Sequence, residues 1–146
     1  MRNVPSFAII ALVPAGLLAL GATLGGAWAW AGLLYMTLVA WALDKLIPVR
    51  RAATAPDIDP AAANRLLVLL GIAHVLLLGL TVGALAAGGL GGVGWVGLYL
   101  GAGLFFGQVS NAAAHELIHR ADRRLFQLGK WIYISLLFGH HTSAHT

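Results

Sequence analysis

The run LLVLLGIAHVLLLGLTVGALAAGGLGGVGWVGLYLGAGLFFGQVSNAAAH, residues 66–115, contains no Asp, Glu, Lys or Arg over fifty positions. A helix that crosses the hydrocarbon core of a bilayer takes about 20 predominantly apolar residues, so this run has room for two crossings and a turn. Ala87-Gly88-Gly89-Leu90-Gly91-Gly92 sits where the turn belongs. Backbone polar groups in lipid have to be satisfied within the segment, which selects helices. A second charge-free run, Asn3 to Leu43, divides in the same way at Leu24-Gly25-Gly26-Ala27. The expectation is an all-α integral membrane protein: two helical hairpins, with transmembrane helices at about 6–24, 27–45, 64–87 and 93–114, plus a short cytoplasmic interfacial helix. Trp28, Trp30 and Trp95 fall near the proposed span ends, as interfacial aromatics do.

Composition agrees. Of 146 residues, 60% are hydrophobic and only 10% charged, with mean hydropathy +0.85. A soluble domain is roughly a quarter charged, so a soluble protein and a disordered tail are both excluded. The sequence pI is about 10.1, yet nine Lys+Arg are sparse and form no basic run interleaved with aromatics, so no nucleic-acid partner is expected. The long apolar stretch after Arg2, followed at once by another, speaks against a cleaved signal peptide. With no Cys, a metal site has to use His and carboxylates.

All nine basic residues fall on one side of the four-span arrangement: Arg2 before the first, Lys45, Arg50, Arg51 and Arg65 between the second and third, and Arg120, Arg123, Arg124 and Lys130 after the fourth. The positive-inside rule makes that side cytoplasmic. The localisation expected is multi-pass in the inner (cytoplasmic) membrane, N-terminus inside. Residues 1–146 form a single membrane domain: first hairpin 6–45, cytoplasmic loop 46–63, second hairpin 64–120 and a C-terminal segment 121–146. In the loop, Asp57 and Asp59 beside Pro60 mark the start of a helix rather than a metal pair. Segment 125–139 is apolar, but as a helix it is only about 22 Å long, short of the roughly 30 Å core, and Lys130 interrupts it. It is expected to stay at the cytoplasmic interface and return the last histidines to the preceding helix.

Five of six histidines lie in the last 32 residues: His115, His119, His140, His141 and His145. His115 and His119, four apart, share a helix face, where two imidazoles can grip one ion. Imidazole suits Zn, Fe, Cu and Ni alike, so spacing does not name the metal. His115-Glu116-Leu117-Ile118-His119 also fits the zinc-protease pattern, with Glu116 activating water. Arg120 directly after it, and more downstream His than a zinc site needs, weigh against that. A metal transporter should place ligands near mid-membrane, where only His74 is found. His74 is a functional candidate by its position, or a neutral His bonded to a neighbouring helix. Interfacial histidines with no metal role are the blandest alternative.

The stretch Asn111-Ala-Ala-Ala-His115-Glu-Leu-Ile-His119-Arg120-Ala-Asp122-Arg123 resembles the first histidine box of the membrane-bound alkane hydroxylases (alkane 1-monooxygenases), within the fatty-acid desaturase/hydroxylase superfamily. That box reads roughly N-x-A-H-E-L-x-H-[KR]-x-D-R. Phe138-Gly-His140-His141-Thr-Ser-Ala144-His145-Thr146 resembles the start of the second box, [YF]-G-H-x-x-x-E-H-x-x-x-H-H, with Ala144 where Glu is usual. The resemblance implies a cytoplasmic site of two non-haem iron ions, with His115, His119 and His145 as ligands and His140 beside the site. His141 has no clear match. It also implies O2 as co-substrate, a hydrophobic alkane-like substrate hydroxylated at a terminal C–H, and rubredoxin or ferredoxin as electron donor. Arg120, Arg123 and Arg124 could meet an acidic carrier or anionic lipid. The chain would correspond to the N-terminal half of a six-helix fold, inactive alone, with the other ligands beyond Thr146.

Reporter fusions test the topology. Fusions after Gly25 and Gly91 should read periplasmic, and fusions after Ala55 and Arg124 cytoplasmic; a cytoplasmic signal at Gly91 contradicts the hairpins.

Overall fold

The structure is a computed structural model describing residues 3–46 and 59–144. Among these residues it is helical without strands: α1 (Asn3–Leu24), α2 (Trp28–Leu46), α3 (Pro60–Ala87), α4 (Gly91–Ile118), α5 (Arg123–Ser135) and one short turn of helix, α6 (His141–Ala144). The first four coincide, to within a few residues at each end, with the four helices read from the sequence. α3 and α4, 28 residues each, are long and apolar enough to cross a membrane. The apolar pieces in α1 and α2, Ala8–Leu24 and Trp28–Val39, are shorter.

Local chemistry sets the boundaries. Asp59 caps α3, its carboxylate accepting the Ala61 N–H at 3.0 Å, and Pro60 follows where a missing N–H costs nothing. Asp59 is thus the helix-start residue expected; Asp57 lies outside the described residues. α3 stops at Gly88, left-handed at φ 72, the usual glycine stop. Asp122 caps α5 by accepting from Arg124 N–H at 2.7 Å and Leu125 N–H at 3.3 Å. α5 ends in a tight reversal: Phe138 N–H donates to the Tyr133 carbonyl at 2.8 Å, around Leu137 at φ 62. A leucine in this conformation costs about 1–2 kcal/mol, and its side chain is 90% exposed.

α1 packs on α2 and α3, and α4 on α2 and α3, so the hairpins lie side by side. One core, around Leu18, Ala29, Met36, Leu77, Leu98 and Phe105, fills the end near the Gly-rich turns. The other, around Leu66, Leu67, Leu70, Ala113, Ala114 and Leu117, takes Ile132 and Tyr133 from α5. α5 reaches this second core because position 129 lacks a side chain. A Cβ on Gly129 would sit 2.7 Å from Leu117 Cβ and 2.9 Å from the Ala114 carbonyl oxygen of α4. Farther along, His74 of α3, fully buried, lies 2.8 Å by its Nε2 from Ser135 Oγ. Of the two sequence readings of His74, the structure has the histidine bonded to a neighbouring helix.

Gly129→Ala should destabilise the fold by about 1–3 kcal/mol, the range for overpacking. Gly103→Ala, where an added Cβ meets nothing within 4 Å, should be neutral or stabilising by up to about 1 kcal/mol through helix propensity. Denaturant unfolding in detergent micelles measures both.

Candidate metal centre

α4 carries the histidine pair, and it is not one uniform helix. Phe105–Ser110 is a π-helical stretch between α-helical halves. In the first half the buried positions are Gly94, Gly97, Leu98, Gly101 and Ala102, leading to Phe105. Continued at 3.6 residues per turn, that face would take in Ala112 and Glu116. The buried residues are instead Ser110, Ala113, Ala114, Leu117 and Ile118, a slip of one position. The wider π-turn accommodates one extra residue, which rotates the last two turns by about 100° relative to an unbroken α-helix. Glu116 is thereby released from the core face, which Leu117 occupies to receive Gly129.

The slip turns the stripe Gln108, Ala112, Glu116, together with Asn111 and His115, towards open space. His115 and His119 lie with ring centroids 4.8 Å apart, edge to face. The reversal after α5 brings His141 to the pair, 5.9 Å from His115 and 5.0 Å from the Tyr133 ring. The His140 ring lies instead on Phe138, at 5.2 Å. Gln108, Asn111, Ala112, His115, Glu116, Tyr133, Phe138 and His141 line a cavity of about 350 Å³. Tyr133 is itself buried, 1% exposed. Glu116 meets Arg120 at 3.4 Å on the exposed side, a contact worth little.

Of the sequence-predicted ligands, His115 and His119 are together and His145 lies outside the described residues. Among the described residues no three His, Asp or Glu side chains converge closely enough to hold a metal ion. A catalytic metal takes three or more protein ligands, so the described imidazoles fit part of such a set. Sequence reasoning missed Gln108, Asn111, Tyr133 and Phe138 as cavity walls and gave His141 no definite place. No signal in the sequence marked them, because residues 91–106 are apolar or glycine almost all round and show no face whose phase could be followed.

A second cavity, about 300 Å³, lies against the first. Residues of α1, α2 and α3, among them Ile10, Pro14, Met36, Val39, Leu67 and Leu70, form its apolar walls, and Gln108, Ala112 and Glu116 belong to both cavities. No family model, curated protein or solved structure matches the chain.

If the π-turn holds one surplus residue, deleting Gly107 should convert it to α-helix with both buried faces kept, at a cost below about 2 kcal/mol. Inserting an alanine after Gly107 should cost more, because a further rotation of about 100° would turn Leu117 away from Gly129. Thermal unfolding of the two variants in micelles distinguishes them; equal losses would refute the surplus.

Proposed function

We propose that this chain is part of a membrane-bound non-haem di-iron monooxygenase that hydroxylates the terminal C–H of an alkane or related hydrocarbon. In this reading it crosses the inner membrane four times, with its N-terminus and histidine cluster cytoplasmic. It draws electrons from rubredoxin or ferredoxin. The observation that carries the proposal is the wall shared by two cavities of opposite character, one histidine-lined and one apolar. An alkane offers no polar handle, so only shape and apolar burial can position it. A hydrocarbon arriving through lipid could lie in the apolar cavity with one end at Ala112.

His115 and His119 would hold iron, with His145 and residues after Thr146 completing the set, and bound iron would supply the activation of O2. The chain's own residues do the rest. Gly129 and the π-turn hold α4 so that His115 faces the cavity, with the His119 ring 4.8 Å from it one turn along. Tyr133 lays its ring against that of His141. The side chains of α1, α2 and α3 exclude water from the hydrocarbon. Against the zinc-protease reading, the neighbouring apolar cavity has few partners for a peptide backbone.

The complete reading frame, expressed in membranes, should hold two irons and convert octane to octanol with a ferredoxin or rubredoxin system. His119→Ala should lower turnover by more than about 100-fold, beyond the loss typical of residues that merely orient ligands. Ala112→Leu should depress oxidation of long alkanes while leaving iron content unchanged. Near-normal turnover in His119→Ala rejects the assignment; stoichiometric zinc with peptide cleavage favours the protease.

A further inference from the structure

The Ser135 hydroxyl has one proton, and it donates it to the Ile132 carbonyl at 2.7 Å. Towards His74 it can therefore only accept, so His74 carries its proton on Nε2. His74 Nδ1 is left as a buried acceptor with no hydrogen-bond partner, and the ring stands edge-on to Phe106 of α4 at 5.1 Å. His74 is fourteen residues into the 28-residue α3, about 21 Å from its start. It sits at the midpoint of a helix long enough to span a bilayer.

That depth has a consequence for α5. Its first residues, Arg123 and Arg124, are exposed beside the end of α4. Its last residue, Ser135, twelve positions after Arg123, is at the level of His74. The helix, about 20 Å long, thus crosses α3 obliquely, meeting Gly71 through Leu128 and His74 through Ser135. Beyond it, Leu137 and Phe138 point outward, continuing an exposed face that begins with Trp131 and Ile134. The reversal is closed in its own hydrogen bonds: the N–H groups of Leu136, Leu137 and Phe138 reach the carbonyls of Ile132, Ile134 and Tyr133. Three N–H groups of the reversal are thus satisfied internally, and its outward leucine and phenylalanine present apolar surface.

We propose that α5 and the Leu136–Gly139 reversal form a re-entrant hairpin. Its tip, Leu137 and Phe138, is embedded in acyl chains near the depth of His74 and held there by the His74–Ser135 hydrogen bond; the chain then returns His141 to His115. This departs from the helix expected from the sequence to stay at the cytoplasmic interface, and rests on the membrane reading above. His74 is a positioning residue in this arrangement.

The chain has no cysteine, so single cysteines at Leu137, Val75 and Arg124 can each carry a nitroxide label. The probe is a vesicle of phosphatidylcholine and phosphatidylglycerol, with oxygen and a water-soluble nickel chelate as relaxing agents. The label at 137 should be oxygen-rich and nickel-poor, like the label at Val75 on the outward face of α3, while the label at Arg124 should be nickel-rich. His74→Leu and Ser135→Ala should each raise nickel access at 137 severalfold. His74→Gln should not, because the glutamine amide donates from nearly the Nε2 position. A nickel-rich 137 beside a lipid-facing Val75 overturns the hairpin and leaves the membrane reading intact. A nickel-rich Val75 overturns the membrane reading itself. Labelling of 137 only from the far side of the bilayer means a full crossing and overturns the hairpin, as does unchanged depth in both His74→Leu and Ser135→Ala.

Discussion

The contact of Gly129 with the last turns of α4 sets the position of everything that follows it. A side chain there would collide with Leu117 and with the Ala114 carbonyl oxygen, neither of which has room to give. With hydrogen at that position, α5 comes close enough for Ile132 and Tyr133 to enter the core formed by Leu66, Leu67, Leu70 and Ala114. The same approach places Ser135 at His74 and starts the reversal that carries His141 back to His115. In a bundle of apolar helices surrounded by lipid, as proposed for this chain, packing of small residues matters more than hydrophobic gain, because lipid tails are as apolar as leucine. One glycine at a crossing then counts for more than several added leucines.

The threonines of the helices, exposed at 23 and 37 and buried at 81, follow the same logic. Thr23, Thr37 and Thr81 each donate to the carbonyl four residues back, at 2.8, 2.8 and 2.6 Å, satisfying their hydroxyls without a neighbour. Trp95 donates its indole N–H to the Leu85 carbonyl across the Gly-rich turn at 3.2 Å, closing the α3–α4 hairpin. His74 is different because its bond joins two helices. A hydrogen bond of that kind is worth about 1 kcal/mol or somewhat less inside a membrane. That is small for stability but enough to bias where a short helix settles.

Much of this was legible before the structure. The Gly-Gly pairs marked the turns, where Gly25, Gly26, Gly88 and Gly91 all adopt positive φ, and Asp59 marked the start of α3. These features are local, decided by residues within a turn of one another. The histidine pair was also local, since i and i+4 share a face whatever the fold. The partner of that pair was not local. His141 reaches His115 through the Gly129 crossing and a left-handed Leu137, a position where a sequence reading looks for glycine and would choose Gly139. The π-turn was hidden for a related reason: a one-residue phase slip is visible only when the buried faces on both sides of it are known.

The slip in α4 also accounts for the position of the candidate site relative to the two cavities. An α-helix that buried Leu98 and Phe105 would, without interruption, bury Glu116 on the same side. An unpaired carboxylate in an apolar core costs several kcal/mol or forces protonation, so the sequence as written could not keep an unbroken helix and that packing together. Rotating the last turns exchanges Glu116 for Leu117 in the core and puts the carboxylate at the cavity boundary, beside Gln108. The wall between the two cavities is thus polar at Gln108 and Glu116 and small at Ala112 between them. A single surplus residue in Phe105–Ser110 thus settles both which residue the core accepts and which residues divide the cavities.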